Sequence, residues 1–315
     1  MIRGIGTQTK NVIDDTEPIA GFQLLRDTGF DSCDFSLNSY LLNTDLYRER
    51  VNKFFDAPID ELKDYFRPQK EAAAGAGIVI NQMHMPYPIY VPGAAKEINT
   101  YLLDEVAPKS MEICAYLECP AIVVHGLKLR QHLGSEEAEW QRTEAFLDTV
   151  LPMAKEMGIV VCIENLYNGV NVHMTEGPGT DARISAERID SINERYGAGV
   201  LGFCFDTGHA NLLGIDMRKF IVTLGKRIKV LHIHDNDGIS DLHQLPFTFT
   251  RTRENEPSTD WKGFIQGMAD IDFDGVLSFE TAPVLSAFPE EMKADALRLI
   301  AATGRYFKDK INLLL

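Results

Sequence analysis

Six short apolar runs of this chain close on an acid or an imidazole: IVINQMHM at His84, AIVVH at His125, IVVCIE at Glu164, VLGFCFD at Asp206, IKVLHIH at His232 and His234, and VLSFE at Glu280. The chain has only 8 His in 315 residues, so gathering four of them at such positions is a pattern rather than scatter. Glu164, Asp206, His232 and Glu280 would make a donor set of three carboxylates and one imidazole. That set suits Mn²⁺, Mg²⁺ or Co²⁺ at least as well as Zn²⁺. Taken singly, each is also what a solvated or paired residue at a strand end looks like. Brought together out of water they need partners, and a cation is the economical one. His232 and His234 are two apart and share one face of a strand. His232 lies deeper and is the preferred ligand, which leaves His234 above it beside a substrate. His84, His125, His209, Asp241 and His243 could ligate further ions, bind substrate hydroxyls or move protons, whereas His132 and His173 fall in loops open to solvent.

The elements that must position these groups follow from the same runs. Stretches of four to eight apolar, β-branched residues read as buried parallel strands, and the intervals between them hold one helix each. Eight strand–helix units fit the chain. The strands are IRGIGTQ, FDSCDFS, IVINQMHM, AIVVHG, IVVCIENL, VLGFCFD, IKVLHIHD and GVLSFE. The helices are expected over Pro18–Thr28, Ile59–Ala76, Ala95–Leu117, Ser135–Met157, from Asp181 to about Tyr196, after Gly214, from Asp260, and over Pro289–Lys308. A (β/α)8 TIM barrel results, an α/β fold with its active site at the C-terminal mouth of the strands. The connections that lead into strands are short, and those after strands two, three, five and seven are long. That asymmetry puts the variable loops on the face that carries the acids and imidazoles. No low-complexity linker or composition break interrupts residues 1–315, so a single domain is expected.

Composition narrows the class. Hydrophobic content of 45% and charged content of 24% are ordinary for a globular protein. A net charge of −15 argues against a general nucleic-acid surface. Five cysteines without a CxxC pair read as free thiols, Cys162 and Cys204 inside strands. The N-terminal MIRGIGTQTK is not a secretory signal, and no run reaches the roughly 18 apolar residues of a membrane span. A cytoplasmic protein without membrane or nucleic-acid partners is the expectation. The aromatic loop MPYPIYVP and the apolar terminus INLLL suggest uncovered hydrophobic surface, hence a homo-oligomer or a complex with a small subunit.

The segments IENL (163–166), FDTGHANL (205–212), HIHDNDG and DLHQLP (within 232–246), STDWKGF (258–264) and LSFE (277–280) resemble the xylose-isomerase-like superfamily of sugar isomerases, epimerases and apurinic endonucleases. The resemblance covers essentially the whole chain. It implies one divalent ion, Mn²⁺ first, held by Glu164, Asp206, His232 and Glu280, with His209 as a catalytic accessory that contacts substrate. Ketose 3-epimerases of that superfamily carry a Glu six residues beyond the first ligand and an Arg six beyond the metal-binding His, where Val170 and Gly238 stand here. Endonuclease-four-type enzymes use nine ligands, and all nine residue types are matched by His84, His125, Glu164, Asp206, His209, His232, Asp241, His243 and Glu280.

The function implied is a metal-dependent sugar isomerase or epimerase. Glu164 and Glu280 would remove and return the proton beside a metal-chelated carbonyl. His84, His125, His234, Asp241 and His243 would contact the sugar. A second reading is the large subunit of a C-glycoside-cleaving enzyme, with MPYPIYVPG and FTFT holding a flat aglycone. A DNA-repair endonuclease and a non-catalytic sugar-binding barrel are further alternatives. The loop from Asp235 to about Thr259 is expected to close over the substrate, with His243, Arg251 or Arg253 reaching it.

Overall fold

A computed structural model of the chain describes residues 1–129, 134–170, 173–251 and 256–315. Eight parallel strands form its centre: β1 (Gly4–Gln8), β2 (Ser32–Ser36), β3 (Val79–His84), β4 (Ala121–Val124), β5 (Val160–Glu164), β6 (Leu201–Asp206), β7 (Ile228–His232) and β8 (Val276–Phe279). Each pairs with its successor, and β8 pairs back onto β1 with Gly4 opposite Val276. The remaining gap between β7 and β8 is closed by backbone bonds from Ile233 N–H to Ser278 O (2.9 Å) and from Glu280 N–H to Ile233 O (3.1 Å). The result is a (β/α)8 barrel with no free sheet edge.

The helices that follow the strands in turn are α1 (Pro18–Thr28), α2 (Ile59–Ala76), α3 (Ala107–Tyr116), α4 (Glu136–Met157), α5 (Ala182–Tyr196), α6 (Met217–Leu224), α7 (Trp261–Asp270) and α8 (Lys293–Asn312). Helix α3 is entered through Lys96–Tyr101 and a π turn at Leu102–Val106. Local signals set the boundaries. Asp181 accepts hydrogen bonds from the N–H groups of Arg183 and Ile184 to start α5. Gly77, at φ +69°, takes the left-handed conformation that ends α2.

Alternation along each strand sorts the side chains into two environments. Outward-facing Val161, Ile163, Phe203, Phe205, Leu231, Leu277 and Phe279 join the main apolar core with the helices. Inward-facing Ala121, Val123, Cys162, Cys204 and Val230 form a separate small cluster inside the barrel. All five cysteines are free and buried. One inward step further toward the C-terminal ends come His125, Glu164, Asp206 and His232, so the polar layer sits directly on this apolar plug.

Three features differ from the sequence expectation. The long loop expected after strand five contains an antiparallel hairpin of Tyr167–Val170 with His173–Glu176. The loop MPYPIYVPG does not expose its apolar side chains, because Met85, Ile89 and Val91 are buried against the chain's own barrel. The uncovered hydrophobic surface expected of it is therefore absent, whereas Leu313, Leu314 and Leu315 of the terminus INLLL are exposed as expected. Phe247 of FTFT packs on Trp261, Tyr306 and Phe307, among the helices outside the barrel. Among the described residues no helix is long and apolar enough to cross a membrane.

Candidate metal centre

The segment DTGHAN is built around the ends of β6 and β7. Asp206 closes β6 and caps the short helix Thr207–Leu212 by accepting the N–H of His209 at 2.6 Å. Asn165 clamps the backbone of Asp206 from both sides, donating to its carbonyl (2.9 Å) and accepting its N–H (2.8 Å). Thr207 Oγ1 accepts the N–H of His234 at 3.0 Å and donates to the His234 carbonyl at 2.8 Å, which locks β6 to β7. Gly208 has to be glycine. A Cβ there would come within 1.9 Å of the His234 ring. The next segment is pinned in turn. Asn236 donates to Gly208 O at 2.8 Å, and Asp235 accepts the Thr259 hydroxyl, which ties DNDG to STDW.

Above this frame His84, His232, His209 and His243 share one arrangement: an outer nitrogen anchored on an acceptor and an inner nitrogen turned to a carboxylate. His84 Nδ1 donates to Met85 O at 2.8 Å, so Nε2 carries the lone pair; it lies 3.8 Å from Glu164 Oε2 and 3.1 Å from His125 Nε2. His125 Nε2 is itself 3.2 Å from the same Glu164 oxygen. His232 Nε2 donates to Asp34 Oδ2 at 3.1 Å, which turns Nδ1 toward Glu164 Oε1 (3.3 Å) and Glu280 Oε2 (3.6 Å). Asp34 is held in place by Gln82 Nε2 at 2.9 Å. His209 Nδ1 donates to Asn165 O at 2.8 Å and His243 Nδ1 to Glu280 O at 3.0 Å. Their Nε2 atoms face Asp241 Oδ2 at 3.5 and 3.1 Å. A carboxylate behind a histidine fixes its tautomer and raises its basicity, the usual support of a metal-binding imidazole.

Lone pair facing lone pair is unfavourable without a positive charge between them. The protein as it stands supplies protons. Burial would push the Glu164 carboxyl up, yet the imidazoles of His232 and His125 hold it well below the carboxylate range. Burial would likewise lower His209, but Asp206, Asp241 and Glu164 raise it well above the usual imidazole value. His243 is raised to about 9 by Glu280 and Asp241 against its own burial. His125, where burial dominates, falls to about 4. A divalent cation would serve the same role. Glu164 Oε2, His232 Nδ1 and Asp241 Oδ1 are buried without any hydrogen-bond partner, which is the state of donor atoms aimed at an ion.

The donors divide into overlapping groups, each compact enough for one ion: His84, His125 and Glu164; Glu164, Cys204 and His232; Glu164, Asp206 and His209; Asp206, His234 and Glu280; and His209, His234, Asp241 and His243. Glu164 belongs to three of them. The expected quartet Glu164, Asp206, His232 and Glu280 is thus spread over neighbouring groups, and the layer has room for more than the single ion expected. His234 differs from its expected place beside a substrate. It is fully buried, with Nε2 3.0 Å from Asp206 Oδ2 and its ring stacked on His243 at 3.9 Å. His173 is exposed on the hairpin, as its loop-like surroundings suggested. His132, Arg253 and the side chain of Arg251 lie outside the described residues.

A cavity of about 520 Å³ opens onto this layer, lined by His84, His125, Glu164, His209, Asp241, His243 and Glu280 together with Tyr47, Tyr87, Tyr90, Lys128 and Tyr167. Phe247 is not among its lining residues. Tyr87 stacks on His125 at 4.2 Å, so the loop PYPIYVPG forms one wall. Asp34, Gln82, Tyr87, Lys128 and Tyr167 belong to none of the acid or imidazole strand ends, and the structure adds them to the site. Alternation alone places Asp34 inward on β2 and Gln82 inward on β3, two residues before His84.

Residues 22–302 match the sequence profile described as the xylose isomerase-like TIM barrel. The chain belongs to that family. Among curated relatives, an uncharacterized protein of Sinorhizobium fredii is 32% identical over 108 residues, covering 33% of this chain and 32% of that one. An uncharacterized protein of Methanocaldococcus jannaschii is 24% identical over 208 residues, 65% of each chain. A probable endonuclease 4 of Methanoculleus marisnigri is 28% identical over 181 residues, 53% of this chain and 58% of that one. These matches span less than two thirds of each relative's length. Among solved structures, the E. coli 3-keto-D-glucoside 4-epimerase superposes with a TM-score of 0.67 at 15% identity, covering 96% of this chain and 100% of that one. A D-tagatose 3-epimerase-like protein gives 0.62 at 18% identity, covering 95% and 99%. At these identities the likeness is one of fold.

Proposed function

We propose that this chain is a divalent-metal-dependent isomerase or epimerase of a small sugar or sugar derivative. The observation that carries the reading is the ring of inward-turned imidazole lone pairs facing buried carboxylates at the floor of a sugar-sized cavity. Glu164, Asp206, His232 and Glu280, with the flanking histidines, would hold the cation, and Mn²⁺ suits their oxygen-rich chemistry. When bound, the ion supplies Lewis acidity at a carbonyl and so acidifies the neighbouring C–H. Glu280 and Glu164 differ in what they can reach. Glu164 is 1% exposed and enclosed by imidazoles, whereas 23% of the Glu280 side chain is open to the cavity. Glu280 would therefore take the proton from substrate, with His232 and His243, each 3.6 Å from its Oε2, orienting it. Tyr87 and Tyr167 offer phenols and flat apolar faces to the sugar.

The test is proton exchange. Mn²⁺-loaded protein is incubated in D₂O with ketoses, keto-acid sugars and 3-keto glycosides, and deuterium is sought at the carbon beside the carbonyl. Incorporation that stops on chelation and returns with Mn²⁺ is expected. Aglycone release without exchange into recovered substrate would favour elimination, and no exchange with any member of the panel would overturn the reading.

One observation favours a second reading. The nine residue types of an endonuclease-four-type site, His84, His125, Glu164, Asp206, His209, His232, Asp241, His243 and Glu280, all stand in this one layer. Against it, the chain carries a net charge of −15, and Lys128 is the one Lys or Arg among the cavity's described lining residues. Incision of an abasic-site duplex by metal-loaded protein, at a rate that a catalytic enzyme reaches, would reverse the order of the two.

A further inference from the structure

We propose that the cavity takes an anionic sugar and that Lys128 is the anchor for its carboxylate or phosphate. This inference rests on the sugar-isomerase reading and names its substrate class.

Lys128 lies three residues beyond His125, on the segment leaving β4, and its side chain lines the same cavity as the metal-ligating layer. Nothing in the helix or strand pattern puts it there; the side chain is positioned by Tyr167. The Lys128 ammonium donates to the Tyr167 carbonyl and lies 5.2 Å from the centroid of the Tyr167 ring. The far end of the same tyrosine reaches the proposed metal donors, with its hydroxyl 3.4 Å from Asp241 Oδ2 and its ring 5.2 Å from that of His209. One tyrosine thus spans the gap between the ammonium and the donor layer, a separation on the scale of a sugar chain.

The charge on Lys128 is not neutralised by its surroundings. Among the described residues, no Asp or Glu comes within the 4.0 Å of an ion pair with its Nζ. An ammonium has three donors, and the Tyr167 carbonyl takes one. Burial lowers its pKa to about 8, although Glu164, Glu139 and Asp241 pull it the other way, so the charge persists at neutral pH. Holding a desolvated, unpaired ammonium in a binding cavity is unfavourable until a ligand brings the counter-charge. Sugar hydroxyls satisfy the donors but not the charge. A carboxylate or phosphate satisfies both, and lysine is a common point-charge partner for either.

The experiment measures binding of glucitol, glucitol 6-phosphate and gluconate to the Mn²⁺-loaded full chain by calorimetry. The same series is run on Lys128→Gln, which keeps a donor for the Tyr167 carbonyl, and on Lys128→Arg. At least one anion is expected to bind ten-fold or more tightly than glucitol. That preference is expected to vanish in Lys128→Gln and to survive in part in Lys128→Arg, with Mn²⁺ content and glucitol affinity unchanged. A phosphate preference assigns a sugar phosphate, and a carboxylate preference a sugar acid. Equal binding of all three ligands, no measurable binding of either anion, or an equal loss of all three in Lys128→Gln would overturn the proposal. The last outcome would leave Lys128 as a pin for the hairpin. Glucitol binding and deuterium exchange report on the isomerase reading separately, so failure of one is not failure of the other.

Discussion

The two ends of the barrel hold cavities of the same size, about 520 Å³ each, built by the same eight strands. At the N-terminal end the lining is Gly4, Ser32, Asn81, Ala121, Val160 and Val230, with Arg3 already paired to Asp274 at 3.0 Å. At the C-terminal end the same strands present His84, His125, Glu164 and, just beyond β8, Glu280. Strand β5 shows the change over its own length: inward-facing Val160, Cys162 and Glu164 run from one mouth to the other. The charged groups of the lower mouth meet as donor and acceptor, and such exposed pairs contribute about 0–1 kcal/mol. At the upper mouth five imidazoles crowd around Glu164, Asp241 and Glu280. Cavity size does not distinguish the two ends. The gathering of imidazoles and carboxylates within reach of one ion does.

The largest effect is expected at Glu164, which belongs to three donor groups and faces His125, His209 and His232. Glu164→Gln should abolish tight Mn²⁺ binding and lower turnover by about 10³-fold, within the range of a lost acid–base group. Metal analysis and steady-state kinetics check it. Retained metal and turnover would remove Glu164 from the centre of the account. Glu280→Gln should lower turnover by about 10²-fold while metal content stays within a few-fold, since its carboxylate is the one open to the cavity. Equal losses in metal and turnover would make Glu280 a ligand and no more.

A smaller effect sharpens the contrast from behind. Asp34 touches no cavity, yet it accepts from His232 Nε2 and is itself held by Gln82. Asp34→Asn should weaken Mn²⁺ binding by about ten-fold, the low end for such supporting carboxylates. Titration against a fluorescent chelator measures it, and unchanged affinity would reduce Asp34 to a packing role. The smallest effect is on stability against pH. In metal-free protein His243 is raised to about 9, chiefly by Glu280 and Asp241 once burial has been overcome. Its folded value lies above the unfolded value of about 6.5, so the stability it contributes is fully present below about 6.5. That stability is lost as pH rises through 9. Melting of chelated protein should therefore fall by a few degrees between these limits, and less in His243→Gln. Parallel curves for the two proteins would contradict the charge assigned to His243.

Much of this frame was legible in the residues. The eight apolar runs are the eight strands, and the helices expected at Pro18–Thr28 and Ile59–Ala76 have those bounds in the structure. Period-two alternation carried the strand-end acids and imidazoles to one mouth, because only the inward face of a parallel barrel strand can hold them. Partners that depend on three-dimensional closure were not legible. Asp34 meets His232 across 198 positions of sequence, and the strand pairing shifts register beside it. Lys128 and Tyr87 come from loops, which carry no periodic signal. His234 obeyed alternation yet ended buried, because Gly208 leaves room for its ring and His243 covers it. The aromatic loop looked exposed by composition, but Met85 and Ile89 are buried in the main core and Val91 at the mouth that the histidines line.

As proposed, the upper mouth would hold a cation and the lower mouth, of equal volume, would not. Anomalous diffraction from crystals grown with Mn²⁺ tests this most directly. A peak is expected that is coordinated by Glu164 and at least two of Asp206, His232 and Glu280, at about 2.0–2.4 Å, and none in the cavity bordered by Gly4, Ser32 and Asn81. An upper mouth without a peak in metal-replete crystals, or an ion bound only at the lower mouth, would contradict it.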